Sequence, residues 1–126
     1  MKGRALSSWV PDRREVIWID WNPQLGTEMR NRHPMLVLSP RAFSERTGLV
    51  IGLPMTTASY HASNPFAVAA GAAAGRKKGG ISYVLCHQPK SFDWRARKAS
   101  PHPRGAIEGP VFEEVMTVLN QIVQLS

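Results

Sequence analysis

Apolar and β-branched residues recur along this chain in short runs cut by turn residues, and only the C-terminal segment changes period. Glu15–Trp21 (Glu-Val-Ile-Trp-Ile-Asp-Trp) has the composition of a strand, and Asn22-Pro23 ends it as a turn signal. Gln24–His33 is polar, carries Gly26 and Asn31, and reads as a loop. Pro34 favours an extended residue before it, and Met35–Leu38 follows as a short buried strand. Ser39-Pro40 reads as a helix start, with Ser39 as N-cap and Pro40 at the first helical position; Gly48 reads as its stop. Leu49–Pro54, Phe66–Ala70 and Ile81–His87 read as further strands. Ala72–Gly80 is an Ala/Gly/Lys-rich flexible connection, and Pro101-His-Pro103 breaks the chain again. In the last segment Val111, Val115, Val118, Leu119 and Ile122 fall on one helical face, flanked by Phe112, Met116 and Val123. Pro110 opens that helix, and Glu113 and Glu114 complement the positive end of its dipole. The pattern predicts a single domain over residues 1–126, mainly β. Five or so short strands form a small, strongly bent antiparallel barrel, and a C-terminal helix caps it. Residues 1–13, polar and containing Pro11, read as a loose N-terminal arm.

Composition narrows the class. The chain has 126 residues, 43% hydrophobic and 20% charged, as expected for one soluble globular domain. No apolar run is long enough to span a membrane, and Met1–Ser8 lacks the apolar core of a signal peptide. The single Cys86 excludes an internal disulfide and a cysteine-based zinc site; set in the apolar run Tyr83-Val-Leu-Cys, it reads as a small buried hydrophobe. A reducing cytoplasm is the expected compartment.

The net charge of +7 changes the picture because it is unevenly placed. Between Arg76 and Arg104 stand eight of the sixteen basic residues and one of the nine acids, Asp93, so the whole excess lies in one segment. A balanced body with one basic stretch points to a polyanion-binding face. Trp94, among Lys90, Arg95 and Arg97, suggests an aromatic that stacks a base while cations hold phosphates. Arg95 and Arg97 share one face if the strand continues through them. Arg76-Lys77-Lys78 reads equally well as a solvated basic loop.

Four segments, in order, carry a resemblance: Trp18-Ile-Asp-Trp-Asn-Pro-Gln-Leu-Gly-Thr-Glu28, His33-Pro-Met-Leu-Val-Leu-Ser-Pro40, Thr56-Thr57 after the third apolar run, and Lys90-Ser-Phe-Asp-Trp-Arg-Ala-Arg97. Together, from about Arg14 to the C-terminus, the chain resembles the MazF/PemK (Kid-like) family of toxin endoribonucleases. The resemblance implies the SH3-like barrel shared with the gyrase poison CcdB. It also implies a homodimer with single-stranded RNA in a groove across the interface, and a MazE-like antitoxin whose acidic tail fills that groove. The implied reaction is metal-independent, sequence-specific cleavage of single-stranded RNA, leaving 2′,3′-cyclic phosphate and 5′-hydroxyl ends. No cofactor and no metal is expected, since no His/Asp/Glu cluster has metal-ligand spacing.

Such chemistry needs a base for the 2′-hydroxyl, donors for the crowded phosphorane and an acid for the leaving 5′-oxygen. Glu28 falls where the family's Gly-x-Glu carboxylate falls and is the candidate base. His33-Pro34 stands where the family has Arg-Pro, with Arg32 one residue earlier. Either Arg32 reaches the phosphate from there, or His33 has taken over acid–base work. Thr56 matches the family's threonine at the scissile phosphate, with Thr57 its weaker neighbour. His87-Gln88 stands where Kid-like members read Asp-Gln; a histidine there exchanges protons near neutrality, where an aspartate does not. His33 and His87 therefore form a possible two-histidine pair. Lys90, Trp94, Arg95, Arg97 and Gln88 are the candidate RNA-binding residues, Arg97 first among them for phosphate. His61 and His102 read as surface residues. Base readout falls to the loops Gln24–Asn31 and Thr57–Asn64. Two alternatives stay open: a non-catalytic barrel toxin acting on a protein such as gyrase, and a nucleic-acid-binding module whose catalytic set has decayed.

Overall fold

The first two strands, β1 (Glu15–Asp20) and β2 (Arg32–Val37), show in one place how this sequence folds. They pair antiparallel, Ile17 opposite Met35 and Val16 opposite Leu36. Because successive side chains point to opposite faces, Val16 and Leu36 enter one apolar cluster while Ile17, Ile19, Met35 and Val37 enter another. The sheet is thus buried on both faces, and its inner strands read as continuous apolar runs rather than alternating ones. The computed structural model describes residues 8–21, 32–72 and 80–125. After β2 come helix α1 (Arg41–Thr47), β3 (Leu49–Thr56), a short 3-10 helix (Ser59–Ser63), β4 (Ala67–Ala72), β5 (Ile81–Leu85), β6 (Lys90–Asp93), β7 (Ser100–Ala106) and helix α2 (Gly109–Val123). The described residues therefore hold seven strands in one sheet, ordered β4-β5-β3-β2-β1-β7 with β6 on β3. The barrel-type sheet with a C-terminal helix matches the expectation; the number of strands exceeds the five or so read from the pattern.

Strand β3 is the hub. Its middle pairs with β2 on one edge. On the other edge β5 meets Met55–Thr56 and β6 meets Leu49–Gly52, with the turn Cys86–Pro89 stepping out between them. Gly52 is required where β2 and β6 both close on β3: a Cβ there would lie 2.4 Å from the Leu36 carbonyl oxygen and 2.8 Å from Met35 Cγ. The first cluster lies between the sheet and α2, whose Phe112, Val115 and Leu119 are buried in it, with Val111, Met116 and Val118 packed alongside. Ile122 and Val123, read from sequence as part of that apolar face, are exposed. Cys86 is fully buried here, as expected, and burial, aided by Glu114, pushes its thiol up to about 11.

Four expectations are corrected. Residues 8–13 of the arm are docked rather than loose. Trp9 and Val10 pack on the second cluster, and Arg13 donates to the Leu38 carbonyl with its guanidinium over the Phe112 ring; residues 1–7 lie outside the described part. Helix α1 is capped from that arm. Pro40, not Ser39, is the N-cap, and Asp12 Oδ1 accepts the Arg41 N–H at 2.9 Å, while the Ser39 hydroxyl accepts the Ile51 N–H. Gly48 ends α1 as predicted, in the left-handed region at φ 79°. The Pro101-His-Pro103 segment is not a break but part of β7, paired with β1. Two prolines are compatible with a strand at the sheet's edge, where a missing donor faces away from the ladder. Finally, β6 ends at Asp93, so the basic strand does not continue through Arg97.

Candidate active site

Sheet register decides which sequence-predicted residues meet. Directly opposed residues of an antiparallel pair share a face, so His33, opposite Ile19, lies on the face of the second cluster, at its exposed rim. Met35 pairs with Pro54. Continued by two residues, that register sets Thr56 level with His33, and strand alternation from Val50 puts Thr56 on the same face. Lys90, opposite Gly52 at the start of β6, shares this face and is exposed. Thr56 Oγ1 accepts the Ala58 N–H at 3.2 Å, which leaves the hydroxyl hydrogen to donate elsewhere. Glu28 lies outside the described residues; the segment that bears it connects the end of β1 to Arg32.

Arg32 points the other way. It pairs with Asp20 on the opposite face, and its guanidinium donates to the Lys98 carbonyl (3.2 Å) and Ser100 Oγ (2.7 Å). Of the two alternatives at this position, His33 is the one whose side chain shares a face with Thr56. His87 and Gln88 occupy the turn after β5, across β3 from β2; the His87 ring stands 5.7 Å from that of Phe66, and its Nε2 is 3.3 Å from Gln88 Nε2. The two histidines are thus carried on opposite edges of β3.

The Trp94–Lys98 turn corrects three expectations. Trp94 does not stack a base: its side chain is buried, its indole N–H donates to the Ser44 carbonyl at 3.0 Å, and Trp9 meets its ring edge-on at 5.9 Å. The Asp93 carboxylate accepts the N–H groups of Arg95 and Ala96 and turns the chain out of the strand, so Arg95 and Arg97 share no strand face. Arg97, expected to hold phosphate, is half-buried. Its guanidinium lies 4.2 Å over Phe92 and donates to the carbonyls of Asp20 and Trp21, while its own carbonyl accepts the Asp20 N–H. Arg95 is exposed, its guanidinium 4.2 Å from the Trp94 ring centroid. Arg97 and Arg32 therefore tie the end of β1 and the start of β2 to one turn.

One group was misread, and two rings were not singled out, although Tyr60 falls in the Thr57–Asn64 loop read for base contacts. His102 is buried rather than superficial, its ring 4.5 Å from that of Trp18 and its Nδ1 accepting the Arg104 N–H at 2.9 Å. Burial, then the Arg104 charge, holds its pKa below the ordinary value. Tyr60 and Phe66 are exposed rings in the connection after Thr56; aromatics in a Ser/Asn/Pro-rich loop with no apolar period around them were the available signal. Among the described residues no group of three or more His, Cys, Asp or Glu is set to hold a metal ion, and no helix is long and apolar enough to cross a membrane.

A half-barrel whose loop-bearing rim carries His33 and Thr56, closed by a C-terminal helix, agrees with the comparisons. The chain belongs to the PemK-like, MazF-like toxins of type II toxin–antitoxin systems, whose family model matches residues 12–123. It is 31% identical over 118 residues to the endoribonuclease toxin MazF of Escherichia coli K12, covering 94% of this chain and 98% of that one. It is 28% identical over 113 residues to the endoribonuclease PemK of Escherichia coli, covering 89% of this chain and 81% of that one. Among solved structures, MazF from Deinococcus radiodurans superposes with a TM-score of 0.73 at 32% identity, covering 94% of this chain and 100% of the other. A MazE–MazF complex from the same organism gives a TM-score of 0.73 at 29% identity, with the same coverage.

Proposed function

We propose that this chain is the toxin of a type II toxin–antitoxin pair and an endoribonuclease that cleaves single-stranded RNA without a metal. The carrying observation is the β2–β3 register which, continued two residues past Met35–Pro54, brings His33 level with Thr56 on one face, with Lys90 on the same face. Relatives named as endoribonucleases support RNA cleavage over the gyrase-type alternative.

In this reading Glu28 takes the 2′-hydroxyl proton and the 2′-oxygen attacks phosphorus. The Thr56 hydroxyl and Lys90 stabilise the charge gathering on the non-bridging oxygens. The P–O5′ bond breaks, and His33, protonated, gives its proton to the departing 5′-oxygen. The products are a 2′,3′-cyclic phosphate and a 5′-hydroxyl. Histidine suits this acid role because its ordinary pKa lies near ~6.5. Gln88 and Arg95 are exposed and available to RNA. A substrate of cellular RNA fits a cytoplasmic protein. An antitoxin with an acidic tail fits the basic excess, as MazE accompanies MazF in the related complex. A homodimer has apolar surface available at the end of α2, in Ile122, Val123 and Leu125.

Purified protein incubated with a long RNA, followed by mapping of the 5′ ends, tests activity, cleavage motif and product chemistry together. Cleavage should persist in EDTA and stop when the nucleotide 5′ of the cut carries a 2′-deoxy sugar; loss in EDTA with recovery in magnesium rejects the mechanism. His33→Ala should lower turnover about 10²-fold or more, the usual scale for a general acid, and remove one arm of the pH–rate profile. If His33→Ala matches wild type and His87→Ala does not, the acid is His87 and the assignment from register is wrong.

A further inference from the structure

The segment between Thr56 and β4 presents a ring pair that the cleavage chemistry leaves unused. Tyr60 is 75% exposed, and its ring lies 4.3 Å from that of His61 at an interplanar angle of 38°. The pair is held rather than loose. Asn64 Oδ1 accepts the Phe66 N–H at 2.9 Å, which assigns the other end of the amide as donor, and that Nδ2 lies 3.1 Å from His61 Nδ1. His61 Nδ1 is then the acceptor, so the neutral ring carries its proton on Nε2. The backbone links the pair to the candidate site: Thr56 Oγ1 accepts the Ala58 N–H, and the Ala58 carbonyl accepts the His61 N–H at 3.2 Å.

The segment's charge is as telling as its rings. No Lys, Arg, Asp or Glu stands between Arg46 and Arg76, so the segment itself supplies no Lys or Arg charge to a phosphate. What it offers is a π-face, a phenol and one N–H, which is the chemistry that takes up a nucleobase. We propose that the Tyr60–His61 pair, braced by Asn64, is a stacking platform for one unpaired base of the RNA, next to the nucleotides cleaved at Thr56. This rests on the nuclease reading and adds a determinant of where along an RNA the enzyme settles. The platform acts through the base and not through the phosphate, so its contribution to binding is insensitive to salt.

The test uses binding, which does not depend on cleavage. Wild type, Tyr60→Ala and Tyr60→Phe are titrated with a cleavable-site oligonucleotide built with 2′-deoxy sugars, at several salt concentrations. The same measurement is repeated with versions carrying one abasic residue at each position in turn. Tyr60→Ala should weaken binding roughly ten- to hundredfold, the scale of one stacked base, with an unchanged salt slope, and Tyr60→Phe should retain most of the affinity. In the wild type one abasic position should reproduce the loss, and in Tyr60→Ala that position should cost nothing further. Wild-type affinity in Tyr60→Ala, or equal losses at every abasic position, overturns the platform. So does a variant that binds RNA normally but fails only against an acidic peptide, since the pair would then serve a protein. If unmodified RNA is never cut while the abasic pattern appears as described, the nuclease reading falls and the platform stands.

Discussion

Two stretches of this chain set aromatic rings beside polar groups, and they use them in opposite directions. In the Trp94–Lys98 turn, three cations follow a tryptophan, yet the indole is buried and bonded to Ser44, and Arg97 spends its guanidinium on the carbonyls that end β1. In the Ser59–Ser63 helix there is no Lys or Arg, yet Tyr60 stands in solvent against its neighbour's ring. Charge beside an aromatic is therefore a poor guide to which ring meets a nucleic acid. A guanidinium can cover a buried ring's exposed face, as Arg95 does over Trp94, and the basic stretch then serves the fold as much as the ligand.

The contrast is broken most easily at the two rings themselves. Trp94→Ala should destabilise the fold by about 3–5 kcal/mol, the usual cost of emptying a buried aromatic site. Tyr60→Ala should stay within about 0.5 kcal/mol of wild type, as exposed positions do. Urea unfolding of both variants decides it; equal midpoints would erase the distinction between inward and outward rings. The cations offer a second, smaller effect. Arg97→Ala should cost about 1.5–3 kcal/mol, in the range for hydrogen bonds to charged groups, and leave the salt dependence of RNA binding unchanged. Lys90→Ala should leave stability alone and reduce the salt slope by about 0.7 for a single strand. A slope that falls as far in Arg97→Ala as in Lys90→Ala would return Arg97 to the phosphates.

The smallest effect sharpens the same contrast among the histidines, His102 buried and His61 only half-buried. Burial, then Arg104, holds His102 below its ordinary pKa, so on acidification the unfolded chain takes up a proton that the folded chain refuses. The stability tied to neutral His102 is fully present above about pH 6.5 and is lost as pH falls through its folded pKa. His102→Gln should flatten the fall in melting temperature between neutral and mildly acidic pH. A variant curve parallel to wild type would show that His102 does not govern it.

Sequence alone was informative where one physical cause dominates. β1 and the Met35–Val37 half of β2 are legible because burial on both faces leaves unbroken apolar runs, whereas Arg32 and His33, read as loop, begin β2; α2 is legible because one face of Val and Leu meets one cluster. Gly48 was legible because a left-handed residue after a helix favours glycine. The errors arise where tertiary partners decide. Ser39 looks like an N-cap, but its hydroxyl is taken by Ile51 and Asp12 caps the helix from 29 residues away. His33 and Thr56 were found through the resemblance, but only the register shows that they share a face and that Arg32 does not. Tyr60 was covered only as part of the Thr57–Asn64 loop read for base contacts, since nothing charged beside it singles it out, and His102 was taken for a surface residue because no motif surrounds it.

The prolines on either side of His102 have a consequence for the molecule's behaviour in a crowded cell. Pro101 and Pro103 both lie in β7. That strand ends the order of the sheet and meets β1 through a register shift between Glu15 and Ile17, and the two prolines remove two backbone donors from it. A foreign strand arriving there finds acceptors without the donors needed to continue the ladder, so β7 is a poor template for recruiting further chains. Replacing both prolines with residues that can donate should leave the fold in place and raise its tendency to form fibrils at high concentration.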